Sequence, residues 1–332
     1  MQFVYLKVHL EFLNDMIEFD DFSKNASGGT EIVKKELQKR LPQELLNKFQ
    51  IVCDRVDELQ KDKIKLFWVH NTPDQLDYNH LQNNGWKKFS KIIFISQNQR
   101  DKFISRFNIP YSYCAIIPYG ITPIELKEKP KDKISLIYHP TPYRGLKLLF
   151  NMFQKLCKEY DNLELKVFSS YKIHGLNDNQ KLYENSTDYQ RIENHPNVKN
   201  IGFVPNEQIR EELSNSHIFA YPNIYEETFC LSLLEAMSAG CLCIHPNYGC
   251  LKETASNWTT IYDYHEDEYE HQQIFYRHLK NAIDNVNTEE VQKHLQMQSE
   301  YVTYFHNWDR ITSKWIELLK SIEEQHTHMT YQ

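Results

Sequence analysis

Short β-branched and aromatic runs alternate with longer helix-patterned stretches along almost the whole chain. The runs are Phe3 to Val8, Gln50 to Cys53, Lys65 to His70, Lys91 to Ser96, Ala115 to Pro118 and Ile134 to His139, then Leu163 to Ser169, Val198 to Val204, Ile218 to Pro222, Leu242 to Pro246 and Thr259 to Tyr262. Strands that succeed one another only through helices build parallel sheets covered on both faces. The expected class is therefore α/β. A length of 332 residues favours two domains over one. The stretch TPIELKEKPKDK at 122–133 is charged, carries two prolines and has few large apolar residues, so it reads as the linker between 1–121 and 134–300. At 301–325, Trp308, Ile311, Trp315, Leu319 and Ile322 recur at three and four residues, the stripe of an amphipathic helix that must lie on an apolar surface.

Composition excludes several classes. Hydrophobic residues at 41% and charged residues at 25% are those of an ordinary globular chain. A net charge of −7 leaves no electrostatic footprint for nucleic acid or an anionic membrane as the main partner. No stretch of about 18 apolar residues occurs, so no transmembrane segment is expected. The start lacks a basic region followed by an apolar run, and the cysteine count, 7, is odd with no pairing frame. Free thiols and a cytoplasmic location are the expectation.

Other segments read as structural. After Gly28-Gly29, the residues Thr30 to Leu41 place Ile32, Val33, Leu37 and Leu41 near helical spacing until Pro42 interrupts them. Residues 171–195 are polar and aperiodic, which predicts a surface excursion. Cys241, Cys243 and His245 read as a buried strand rather than a metal site. The acidic runs Asp20-Asp21 and Glu266 to Glu268 read as solvated surface, and His265, His271 and His278 as exposed helix positions.

The most informative stretch is Tyr221 to Gly249, in which a strand ends at a proline, a short loop follows, and a helix begins near Leu231. Glu227 lies in the loop and Glu235 about one turn into the helix, so the backbone N–H groups of 229–231 lie between two carboxylates. A helix N-terminus offers unpaired donors and the positive end of a dipole, which suits a phosphate. A carboxylate can accept from two vicinal hydroxyls. Phosphate and polyol together describe a nucleotide sugar.

The run ETFCLSLLEAMSAG (227–240) resembles the E-x7-E signature of retaining GT-B glycosyltransferases, in particular glycosyltransferase family 4. SGGTE (27–31) is similar to the N-terminal glycine loop of that family, WVHNTP (68–73) to its histidine loop, and FISQNQRDKF (94–103) and IPYGI (117–121) to the segments before the linker. YHPTPYRGLKLL (138–149) resembles the phosphate loop, NIGFVPNEQI (200–209) the strand near the base, and GCLKE (249–253) the loop after the signature. The resemblance spans nearly the whole chain. It implies two Rossmann-like domains whose parallel sheets face each other across a cleft, with the C-terminal helix crossing back to a short N-terminal domain.

The resemblance also implies roles. Glu235 would hold the ribose hydroxyls, and Glu227 with Thr228, Phe229, Cys230 and Leu231 would hold the donor sugar and diphosphate. Arg144 would neutralise the leaving diphosphate, Gly28 and Gly29 would approach it from the other domain, and His70 would sit by the transferred sugar. The implied reaction moves a hexose-type sugar from a UDP- or GDP-sugar to an acceptor hydroxyl with retention, by front-face attack and without metal or other cofactor. The acceptor would be a glycan, glycoside, protein or lipid-linked molecule. Departures are local: Tyr138 stands where a second phosphate-loop cation is common, leaving Arg144 alone or assisted by Lys147; Tyr119 stands for an Asn, and Thr228 and Cys230 for glycines. Alternatives on the same fold are an inactive binding or assembly module, a sugar-nucleotide epimerase, or a phosphorylase. A Rossmann dehydrogenase is disfavoured, because no G-x-G-x-x-G follows the first strand.

Overall fold

Helix α1 (Gly29–Arg40) carries the Val33 and Leu37 stripe inward, and α2 (Gln43–Lys48) follows directly after Pro42. The computed structural model describes residues 29–330, so the run Phe3 to Val8, Asp20-Asp21 and Gly28 lie outside the described residues. Strands β1 (Phe49–Cys53), β2 (Ile64–Trp68), β3 (Lys91–Phe94) and β4 (Cys114–Ile116) form a parallel sheet in that order. Cys53 pairs with Trp68, and Trp68 in turn with Ile93. Helix α3 (Gln97–Phe107) connects β3 to β4, with Ser96 capping it by accepting from the Gln99 N–H.

Beyond Ile134 the chain builds a second, six-stranded parallel sheet in the order β10-β9-β8-β5-β6-β7. Its strands are β5 (Ile134–Tyr138), β6 (Leu163–Val167), β7 (Val198–Asn200), β8 (Ile218–Ala220), β9 (Leu242–Asn247) and β10 (Thr260–Asp263). Strands β5 and β6 are buried along their whole length, as expected where helices cover both faces. The covering helices include α4 (Leu146–Leu156), α7 (Asn206–Ser214), α8 (Leu231–Ser238), α9 (Leu251–Ala255) and α10 (Glu268–Asn285). The order reverses direction at β5 and β8, whose C-terminal ends are where an open parallel sheet leaves a crevice for ligands.

Helix α11 (Glu289–Phe305) packs on α8, and α12 (Trp308–Thr330) crosses back to lie on α1. The break between them is made by Asn307, whose side-chain oxygen accepts from the Arg310 N–H and starts a new helix. Trp315 is fully buried and meets Trp68 edge-on at 4.9 Å, and Ser90 bonds to His326 at 2.9 Å. Among the described residues no helix is long and apolar enough to cross a membrane.

Two expectations are corrected. Residues 171–195 do run over the surface between β6 and β7, but the excursion is helical: it holds α5 (Asn177–Glu184) and α6 (Thr187–Glu193). These helices carry little apolar stripe beyond Ile192, which is buried in the core: Ser186 accepts from the Tyr189 N–H, and Tyr171, Tyr183 and Tyr189 pack ring against ring. His271 is buried rather than exposed, because it shares a helix face with Phe275 and Leu279 and bonds to Tyr262 at 3.1 Å. Burial pulls its pKa down to about 4. His265, for its part, precedes the helix and is exposed.

Replacing Trp315 with Ala empties the seat of α12 against β2. A stability loss of about 3–5 kcal/mol is expected, read as a lower unfolding temperature in a thermal melt.

Candidate functional site

The site lies at the C-terminal ends of β5 and β8. Arg144 stands in a short 3-10 turn, Pro142–Arg144, between β5 and α4. The turn closes on Gly145 at φ +117°, and a Cβ there would stand 2.2 Å from the Pro222 carbonyl oxygen. Glycine is what lets the Arg144 loop approach the loop after β8. The Arg144 Nη1 donates to Glu227 Oε1 at 2.6 Å, and the Tyr221 hydroxyl donates to the same oxygen at 2.5 Å. Glu227 is only 4% exposed. Its backbone is pinned as well: the Cys250 N–H donates to its carbonyl, and a Cβ at Gly249 would collide with it at 2.3 Å.

Among the described residues both polar contacts of the Glu227 carboxylate fall on Oε1, leaving Oε2 for a ligand. Arg144 is held from its other side by aromatic rings, Tyr225 at 4.3 Å and Tyr143 at 5.5 Å. Burial pushes the Tyr221 phenol well above its ordinary pKa, so it stays a donor. Immediately after Glu227, α8 begins with Cys230 at its N-cap and no side-chain cap. Its first-turn N–H groups and positive dipole end therefore adjoin a fixed carboxylate and a fixed guanidinium.

Glu235 lies one turn into α8 and is also buried. It accepts from Asn206 Nδ2 at 2.9 Å, and Arg210 stands 3.9 Å away. Burial raises its pKa, while the Asn206 bond and Arg210 oppose that shift. Both neighbours come from α7, directly after the turn at Gly202, so the second carboxylate faces the β7 end of the crevice.

The other sheet supplies the opposing wall. Thr228 Oγ1 donates to the His70 carbonyl at 2.7 Å, and the Ser96 hydroxyl donates to the Thr228 carbonyl at 2.9 Å. Glu253 receives the first N–H groups of α3, from Gln97 at 2.6 Å and Asn98 at 3.1 Å. Lys102 pairs with Glu226. A Cβ at Gly29 would lie 3.0 Å from Leu231 Cδ1, which puts the start of α1 over the start of α8. His70 is buried just beyond β2; its Nδ1 meets the Tyr119 hydroxyl at 2.5 Å, and burial pulls its pKa down to about 3.

The structure thus brings His70, Arg144, Glu227, Thr228, Leu231 and Gly29 to one place, with Glu235 a turn further on. Phe229 is turned inward, meeting Tyr119 at 5.0 Å. Cys230 is likewise buried. Lys147 does not join them: it is 57% exposed and 3.9 Å from Asp188 on α6. Tyr138 is a core residue whose hydroxyl donates to the Thr141 carbonyl.

Sequence reasoning missed Tyr221, Asn206, Arg210 and Asp54. Asp54 stands just past β1, where its carboxylate accepts from the His70 N–H at 2.7 Å, from Tyr78 and from Asn71. The available signal was its position at the C-terminal end of a strand next to the one that ends at His70.

The family profile described as glycosyl transferases group 1 matches residues 122–293, just over half of the chain. A glycosyltransferase structure from Rickettsia africae superposes with a TM-score of 0.65 at 16% identity, over 90% of this chain and 83% of that one. The Anabaena Alr3699/HepE structure, in complex with UDP-glucose, gives 0.59 at 15% identity over 78% and 72%. The GtfA/B complex gives 0.56 at 15% identity over 78% of this chain, which spans only 53% of that chain. These likenesses establish the GT-B fold. No curated protein matches the sequence.

Two outcomes follow from the geometry. Replacing Arg144 with Met strands a buried carboxylate and is expected to lower stability by about 3 kcal/mol; adding Glu227→Gln should restore part of the lost melting temperature. For Asp54, burial lifts the carboxyl from 3.8 to about 6. Between those values the folded chain binds more protons than the unfolded one, so stability falls as pH rises from 4 to 6 and is level above. The drop is about 3 kcal/mol, and it should vanish from the pH dependence of unfolding in Asp54→Asn.

Proposed function

The chain belongs to the glycosyl transferases group 1, and on that premise we propose that it moves a hexose-type sugar from a UDP-sugar to an acceptor hydroxyl with retention. The observation that carries the reading is the Arg144–Glu227 pair at the N-terminus of α8. It sets one cation, one row of amides and one free carboxylate oxygen side by side, the complement of a diphosphate joined to a polyol. A buried Glu235 with Asn206 at the β7 end supports a place for the ribose hydroxyls. The choice of uridine is supported by the UDP-glucose of the Anabaena relative.

In this reading the bond between sugar C1 and the diphosphate oxygen breaks as the acceptor oxygen attacks from the same face. The acceptor proton passes to the departing phosphate. Arg144 and the α8 amides stabilise the charge gathering on the diphosphate, a role that requires no metal. Glu227, through Oε2, orients the sugar hydroxyls, and the neutral His70 lies on the opposite wall. Thr228 joins the two by its bond to the His70 backbone, so the sugar would be enclosed between the sheets.

The test is a thermal-shift series with UDP, GDP and UDP-glucose, followed by an assay of sugar release from UDP-glucose. UDP at a hundredfold excess over Kd should raise the melting temperature by roughly 5 °C, and Glu235→Ala should lose the shift. A folded protein unmoved by every nucleotide would instead favour a binding module on the same architecture.

A further inference from the structure

Among the described residues the chain passes between its two halves twice, and both crossings meet at Tyr119. The first crossing leaves β4 through Ile117 to Ile121; the second is the break between α11 and α12. The Ile121 N–H donates to the His306 carbonyl at 2.7 Å, and Ile121 forms a parallel bridge with Asn307. Gly120 lies so close under Trp308 that a Cβ would be 2.7 Å from its ring. The Tyr119 carbonyl lies 3.3 Å from His306 Nδ1. From this anchored backbone the Tyr119 ring reaches Phe229 on one side, at 5.0 Å, and stacks beside His70 on the other. Its hydroxyl ends 2.5 Å from His70 Nδ1.

We propose that Tyr119 is a positioning residue: its hydroxyl donates to Nδ1 of His70 and so holds the ring as the Nε2–H tautomer, a hydrogen-bond donor for a hydroxyl of the transferred sugar. The direction follows from acidity. A phenol is a better donor than a neutral imidazole, and an unprotonated imidazole nitrogen is a better acceptor than a phenol oxygen. Both groups are neutral here, because burial lifts the phenol well above its usual pKa and pulls the imidazole to about 3. The imidazole is pressed against Trp68 at 4.4 Å, which restricts its tilt. Its Nε2 is enclosed yet has no partner among the described residues. An enclosed donor without an acceptor is costly unless a ligand supplies one, and Thr228, bonded to the His70 carbonyl, places that donor beside the Glu227 loop.

The inference deepens the donor-site reading and rests on it for the identity of what Nε2 meets. The experiment is an imidazole nitrogen NMR spectrum of the full chain, deuterated and labelled with nitrogen-15 at histidine, with His70→Gln used to assign the His70 signals. The wild-type spectrum should show a protonated Nε2 and a bare Nδ1, and Tyr119→Phe should turn this into a tautomer mixture. In the UDP-glucose assay, Tyr119→Phe should lower kcat about tenfold while KM stays within about twofold. A wild-type spectrum with the proton on Nδ1 overturns the inference without any variant. Unchanged tautomer or unchanged kcat in a folded Tyr119→Phe overturns it as well. If the wild type releases no sugar from UDP-glucose, the donor reading fails, and the spectrum still decides what Tyr119 does to His70.

Discussion

A carboxylate taken out of water needs a cation and hydrogen-bond donors of its own, and Glu227 obtains them from Arg144 and Tyr221. This single pair organises the crevice. It joins loops that are 83 residues apart in the chain, and it does so because β5 and β8 are neighbours in the second sheet. Gly145 and Gly249 are the local conditions for it, one allowing the Arg144 turn to close on Pro222 and the other making room for the Glu227 backbone. With Oε1 occupied twice and the guanidinium flanked by Tyr225 and Tyr143, charge and direction are set before any ligand arrives. Such preorganisation is what electrostatic stabilisation of a leaving group requires.

The same loop also makes contacts between the halves of the molecule. Thr228 bonds to His70 and receives Ser96, and Glu253 occupies the positive end of α3. The opposing wall is equally constrained. Asp54 holds the His70 backbone, Tyr119 meets its ring, and Trp68 and Trp315 connect that wall to the crossing helix α12. A change in the angle between the sheets would therefore be felt at His70 and Thr228. These contacts link packing to chemistry, since the residues proposed to meet the sugar are the ones that join the two sheets.

Much of the architecture was legible because strand and helix periods differ and because strand ends, glycines and N-termini of helices leave marks in residue type. The alternation from Gln50 to Tyr262 named the described strands, and the E-x7-E run singled out Glu227 and Glu235. The failures have a common source. Helices α5 and α6 are held by Ser186, by tyrosine packing and by the single buried Ile192, which together carry no apolar period. His271 looked like a surface residue because a single histidine in a polar stretch does not reveal that its helix face is the buried one.

What the amino-acid sequence by itself determined is the sheet class, the two-part layout and the inventory of charged groups near a helix N-terminus, since each depends on local propensity or short spacing. Tertiary structure alone decided which groups meet: Arg144 with Glu227, Asn206 with Glu235, Asp54 and Tyr119 with His70, and Thr228 across the crevice. Those pairings come from strand order and from the way α12 ties the halves together, and a strand's neighbour in a sheet is set by packing over the whole chain, which no short stretch of sequence encodes.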